Sequence, residues 1–162
     1  YMVVSRLLQT QTDRLGIIAG DRGRRHTSER LLGCQKAMYQ KGILYNPELI
    51  YYGDWSREFG YQAAAGLFEQ GVRVLFSMND NMAMGVYDYA GEKGLTIGED
   101  IFVAGIGSQF GNILRPKLTT VEMPLFEMGQ KAGEIILDIV EEKVPLKGEV
   151  YKIEGKLLND KR

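Results

Sequence analysis

Apolar positions along this chain alternate between two rhythms. Val3, Val4, Leu7 and Leu8 fall at helical spacing before the polar run Gln9-Thr10-Gln11-Thr12-Asp13, and residues 15–19 form an unbroken apolar stretch that predicts a buried strand. A loop over residues 20–26 leads to Thr27 or Ser28 as the expected helix cap. Glu29 would then lie in the first turn, where the helix dipole favours an acid. Leu31, Cys34 and Met38 mark the inner face of that helix and Gly42 its stop. The cycle repeats with a strand at 49–52, a loop at 53–55, Ser56 as cap, a helix face of Phe59, Ala63, Gly66 and Leu67, and a stop at Gly71. It repeats again with a strand at 72–77, a loop at 79–81, a helix face of Ala83, Val86, Tyr87 and Ala90, and a stop at Gly94. A strand at 101–104 precedes a glycine loop, Gly105-Ile106-Gly107-Ser108, and residues 118–121 read as extended. Pro124 opens a long helix with the stripe Met128, Ala132, Ile135, Ile136 and Ile139, and residues 150–153 read as a late edge strand.

Strand–helix alternation of this kind predicts an α/β fold, a mostly parallel sheet of about five strands with helices on both faces. Right-handed crossovers place every strand-to-helix loop on one edge, where open α/β sheets bind ligands. The loops at 20–26, 53–55, 78–81 and 105–109 converge there. They carry Arg, His, Trp, Asp and Asn, the donors, acceptors and stacking face that a polar small molecule needs.

The chain's 162 residues suffice for one ordinary domain. Its 20 basic and 21 acidic residues give a net charge of -1, so there is no bulk attraction to nucleic acid or to an anionic membrane. A single cysteine and a single histidine exclude a disulfide framework and any site built from several His or Cys ligands, and no cofactor or metal is expected. The apolar runs are too short to span a bilayer. The first residues lack the layout of a secretion signal, so the expected compartment is reducing and cytoplasmic. Enzyme chemistry finds no support. His26 has no Ser or Cys motif around it, and the carboxylates are scattered over helix faces. The spacing Gly105-x-Gly107-x-x-x-Gly111 is off by one for a dinucleotide loop.

The ordered set Gly16-Ile17-Ile18-Ala19-Gly20, Arg30-Leu31-Leu32-Gly33, Gly53-Asp54-Trp55-Ser56, Asn79-Asp80-Asn81-Met82-Ala83-Met84-Gly85, Gly98-Glu99-Asp100-Ile101 and Pro116-Lys117-Leu118-Thr119-Thr120-Val121 resembles the effector-binding region of the lactose-repressor (LacI/GalR) family of bacterial transcriptional regulators. The resemblance runs through essentially the whole chain. It implies the fold of type I periplasmic binding proteins, two α/β subdomains around a cleft, of which this chain looks like the C-terminal part. Residues 1–13 then resemble the end of the N-terminal subdomain, 14–122 the C-terminal subdomain, 123–143 a helix crossing back to pack on the N-terminal subdomain, and 144–162 a return strand and tail.

The resemblance also implies roles. Arg30 would contact the effector, a sugar hydroxyl pair suiting its forked donors. Trp55 would stack on a sugar face or a purine, with Asp54 beside it a turn and cap residue. Asn79 would bond a sugar hydroxyl, and Asp80 would cap the next helix. Arg24 and His26 would set specificity; with their neighbours they either hold a phosphate or carboxylate or form a solvated basic loop. Gly107 stands where many members carry an aspartate, and Met123 where some have a polar contact. The lost carboxylate tilts the expected effector from a neutral sugar towards a sugar phosphate. Met84, Tyr87, Ile113 and Leu114 would form a homodimer patch. Operator DNA would be a partner through a helix-turn-helix headpiece that this chain lacks. The rival reading is the sugar-binding subunit of a transport system with the same fold.

Overall fold

The computed structural model describes residues 1–10, 12–107, 113–143, 145 and 148–159. Helix α1 (Met2–Leu7) leads to strand β1 (Gly16–Ala19), helix α2 (Arg25–Gln40), a 3-10 turn (Pro47–Leu49), strand β2 (Ile50–Tyr52), helix α3 (Arg57–Glu69) and strand β3 (Val74–Ser77). Helix α4 (Asp80–Glu92), strands β4 (Phe102–Gly107) and β5 (Thr119–Glu122), helix α5 (Leu125–Val140) and strand β6 (Lys156–Leu158) complete the order. The strands form one sheet, β2-β1-β3-β4-β5-β6, parallel throughout except for β6, which runs antiparallel along β5.

β1 and β3 are buried along their whole length. A parallel strand covered on both faces needs a continuous apolar run, which Gly16-Ile17-Ile18-Ala19 and Val74-Leu75-Phe76 supply. The path from β1 to β2 leads to one side of the sheet, and the paths from β2 to β3 and from β3 to β4 lead back the other way. Right-handed crossovers therefore put α2 on one face and α3 and α4 on the other. α1 lies on the α2 face, packed against α2, β4 and β5. Val3, Val4, Leu7 and Leu8 join the same core as the sheet, so the core shows no break at residue 13.

α3 and α4 approach so closely that glycine is needed on both. A Cβ on Gly60 would run into the Met82 carbonyl, and one on Gly85 into the Arg57 carbonyl. The pair is tied at its rim by Arg57, whose Nη2 donates to Asp88 Oδ1 at 2.6 Å. Gly71 and Gly94 end these two helices in the left-handed region, with φ of 78° and 66°, as their sequence positions predict.

The structure departs from the sequence expectations in four places. α2 starts at Arg25 with Arg24 as its N-cap residue, so neither Thr27 nor Ser28 caps it; a turn over Asp21 to Arg24, with Gly23 at φ 87°, starts the helix early. β4 runs on through Gly105-Ile106-Gly107 because these pair with Thr120, Val121 and Glu122 of β5; Ser108 and Gln109 of the expected loop lie outside the described residues. Residues 150–153 form no strand, and Lys156–Leu158 takes the edge instead. Gly155, where a Cβ would lie 2.7 Å from Val121 Cγ1, marks where the returning chain closes on β5. Finally, β6 raises the sheet to six strands.

α5 is strongly amphipathic in sequence, yet none of its residues is buried. Phe126 and Val140 are 80% and 73% exposed, so an apolar face of several residues lies open.

Gly85→Ala is expected to destabilise the fold by about 3 kcal/mol, because the added methyl meets backbone rather than a side chain that can move. Gly91→Ala on the same helix, where a Cβ meets nothing within 4 Å, should instead gain roughly 0.5–1 kcal/mol. Urea midpoints of the two variants against the parent measure both, and equal midpoints would contradict the close crossing.

Candidate functional site

Between β1 and β3 the strand order reverses, which opens a crevice at the carboxyl ends of those strands. Gly20 follows β1 on one side of it and Met78 follows β3 on the other. Arg30, in the second turn of α2, reaches across and donates Nη1–H to the Met78 carbonyl at 2.7 Å. This is its only hydrogen bond among the described residues. Burial without a compensating carboxylate holds its pKa below the usual guanidinium value. The remaining forked donors are left for something else.

Trp55 lies beside it. Its φ is 68°, the left-handed region, unusual for a bulky residue. The indole rests on Gly20 so closely that a Cβ there would fall inside the ring. The His26 ring stands 5.0 Å from it at 37°, and the Arg30 guanidinium 5.6 Å from its centroid. Arg30 and His26, one turn apart on α2, and the distant Trp55 thus form one cluster. The Trp55 carbonyl accepts from Asn79 Nδ2 at 3.1 Å and from Asn81 Nδ2 at 3.0 Å.

The roles expected of Asn79 and Asp80 are redistributed. Asn79 is the cap of α4: its backbone is extended and its Oδ1 accepts from Met82 N–H at 2.7 Å. Asp80 is the first helical residue, buried at 3% exposure, with its Oδ1 accepting from Thr120 Oγ1 at 2.7 Å. That carboxylate explains the glycines of β4. A Cβ on Gly107 would lie 2.6 Å from Asp80 Oδ2, and one on Gly105 2.7 Å from Asp80 Oδ1. Position 107 carries no carboxylate, but the Asp80 carboxylate lies directly against it. Asp54 accepts from Ser56 N–H at 3.0 Å, and the Ser56 hydroxyl and amide hold it below the ordinary carboxylate range.

The basic loop divides. Arg24 pairs with Asp21 at 3.5 Å and Arg25 with Glu29 at 2.8 Å, all four exposed, and the Arg25 hydrogen bond lowers the Glu29 pKa. Arg22 lies over the Tyr52 ring at 4.4 Å. His26 alone of this loop lines the groove beside Arg30, a space of about 500 Å³ with an apolar wall of Ile106, Val121 and Met123. A slightly larger cavity, about 550 Å³, lies at the opposite edge, between Arg6, Tyr87, Phe102 and Lys117. None of the residues expected to bind effector lines it.

Of the expected dimer patch, Ile113 is exposed, Met84 is half-buried and Leu114 packs on the core. Tyr87 donates its hydroxyl to the Pro116 carbonyl at 2.9 Å, and burial pushes its phenol pKa up. Cys34 is a buried core residue whose thiol burial pushes up to about 12. Among the described residues no group of three His, Cys, Asp or Glu side chains could hold a metal, and no helix is long and apolar enough to cross a membrane. Sequence reasoning missed Gly20, Asn81 and Thr120. The repeated Asn79-x-Asn81 was the one visible signal, two amides with a single residue between them at a helix start.

Residues 4–157 match the periplasmic binding protein-like domain family. The chain is 33% identical over 146 residues to the HTH-type transcriptional repressor PurR of Pectobacterium carotovorum, covering 88% of this chain and 43% of the repressor. It therefore spans less than half the length of that curated relative. A LacI-family regulatory protein from Chloroflexus aggregans superposes with a TM-score of 0.83 at 29% identity, over 90% of this chain and 53% of that one. A sugar-binding transcriptional regulator of the LacI family from Escherichia coli, complexed with phosphate, superposes at 0.81 with 28% identity, over 97% and 57%.

Thr120→Val keeps the shape of the side chain but removes the hydroxyl donor from the buried Asp80 carboxylate. It is expected to cost about 2 kcal/mol in denaturant unfolding, the range for a hydrogen bond to a charged group. An unchanged midpoint would show that the carboxylate does not depend on Thr120.

Proposed function

The chain belongs to the periplasmic binding protein-like domain family, and from that membership and the cluster around Arg30 we propose that it is the effector-sensing portion of a sugar-responsive transcriptional regulator. The effector is a sugar or sugar phosphate. It enters the groove at the carboxyl edge, hydrogen-bonds to Arg30, stacks against Trp55 and meets His26, with Arg24 at the rim setting specificity. Asn79 acts from behind Trp55, and Gly107 leaves room above Asp80. The observation that carries this reading is the half-buried Arg30 guanidinium. Its one hydrogen bond fixes it across the switch point, and it has no carboxylate partner among the described residues. A guanidinium in that state suits vicinal hydroxyls or a phosphate. The sugar-binding regulator complexed with phosphate supports the same ligand chemistry.

The reaction is binding alone, with no bond made or broken and no metal or cofactor. Ligand favours one orientation of this unit against a second subdomain, and the change passes through a homodimer to DNA-reading headpieces in the bacterial cytoplasm. The open apolar face of α5 supports a second subdomain packed there, and exposed Ile113, with Met84, Tyr87 and Leu114, supports the dimer contact. The relatives described above are transcription regulators, which favours this reading over a transport subunit.

The test is release of operator DNA by the full-length protein, titrated with sugars and sugar phosphates, in the parent and in Arg30→Ala. Loss of hydrogen bonds from a charged donor should weaken the effective sugar roughly ten- to hundredfold while leaving the fold intact. An equal response in both proteins would remove Arg30 from the site. A parent that responds to no carbohydrate would overturn the sugar class.

A further inference from the structure

Among the described residues of the site, Trp55 is the one non-glycine residue with a backbone in the left-handed region. A bulky residue at φ 68° persists only where its surroundings over-determine it, and such outliers point to function. Three contacts hold it: Gly20 beneath the ring, and the two amide donors, Asn79 and Asn81, on its carbonyl. The donors are not equivalent. Asn79 is already fixed as the cap of α4, its Oδ1 accepting from Met82 N–H, so the helix explains its residue type even though its Nδ2 also donates to the Trp55 carbonyl. Asn81 lies in the first turn of α4, half-buried, and its side chain makes one hydrogen bond among the described residues, to the Trp55 carbonyl. Helix formation does not need an asparagine there. Its residue type is explained by that bond alone.

We infer that Asn81 is a positioning residue of the effector groove: by saturating the Trp55 carbonyl it holds the indole on Gly20, and through the indole it sets where His26 and Arg30 present themselves. A carbonyl oxygen has two lone pairs, and here Asn79 and Asn81 fill both, which leaves the loop no alternative partner. Without Asn81 the loop around Trp55 can relax towards an ordinary φ. The ring then leaves Gly20, and the two ligand-facing side chains lose the surface they pack on. The inference rests on the proposed function only in calling that surface an effector groove.

Trp55 is the only tryptophan of this chain, so within it tryptophan fluorescence and the tryptophan band of the near-ultraviolet circular dichroism read this one position. Asn81→Asp is nearly isosteric, cannot donate when ionised, and places a negative charge in the first turn of α4, where the dipole favours it. The introduced carboxylate faces the Trp55 carbonyl oxygen with no proton to share, so the tryptophan dichroic band should be lost, the emission maximum should shift to the red and acrylamide quenching should increase. Asn81→Leu should give the same tryptophan changes without the added charge. A residue that merely supported the helix would move the melting temperature and leave the tryptophan signals alone. That result, or parental tryptophan signals in both variants, would overturn the proposal. In the full-length protein, both variants should also weaken whichever sugar or sugar phosphate releases the parent from its operator by roughly two- to tenfold. Altered tryptophan signals with unchanged effector potency would sink the link to the groove. A parent that answers to no sugar sinks the proposed function instead, and the ligand-free tryptophan measurements still judge Asn81.

Discussion

Parallel pairing among β1, β2, β3 and β4 forces each connection between them to cross over a sheet face before the next strand begins. With right-handed crossovers, every strand-to-helix junction then falls on one edge, and the reversal of strand order between β1 and β3 leaves a crevice there. Everything proposed for this chain depends on that geometry. It brings Gly20, Arg30, Trp55 and Met78 together although they come from three different crossovers. The Arg30 hydrogen bond to the Met78 carbonyl closes the crevice at its floor.

The same edge explains a set of small residues with no ligand role of their own. Gly105 and Gly107 leave room for the Asp80 carboxylate, which Thr120 anchors from β5. Gly20 leaves room for an indole. Gly60 and Gly85 let α3 and α4 meet at backbone distance, which fixes the start of α4 and with it Asn79 and Asn81. Each glycine removes a side chain so that a functional group one layer away can take its place. Two polar groups at the start of α4 are satisfied in the same way: the buried Asp80 carboxylate has its hydroxyl donor and the half-buried Asn79 amide is used at both ends.

Much of this was legible in the sequence because periodicity and punctuation are local. The apolar runs at β1 and β3, the Ser56 cap and the glycine stops at 71 and 94 all lie where pattern alone puts them. What pattern could not supply was set by neighbours distant in the chain. Gly105-Ile106-Gly107 looked like a loop because two glycines weaken a strand in isolation; pairing with β5 and the pressure of Asp80 make it one. Asn79 holds the cap that Asp80 was expected to provide, and Thr120, forty residues away, donates to the buried aspartate instead. The edge strand moved from 150–153 to Lys156–Leu158 because apolar content alone does not say where a returning chain meets its partner. Arg30, Trp55 and His26, which the sequence placed at one sheet edge, lie close together there, whereas the parts of Gly20 and Asn81 appear only with the ring in place.

On the proposed function, a sugar-class effector sits at the carboxyl edge and not at the cavity beside Arg6, Tyr87 and Lys117. Hydrogen–deuterium exchange of the full-length protein, with and without each candidate sugar or sugar phosphate, tests it most directly. An effective ligand should slow exchange around residues 20–30, which carry His26 and Arg30, and through their contacts with Trp55 and Met78 around 53–57 and 78–82 as well. Protection confined to residues 97–103 and 116–119, at the opposite edge, would contradict the account.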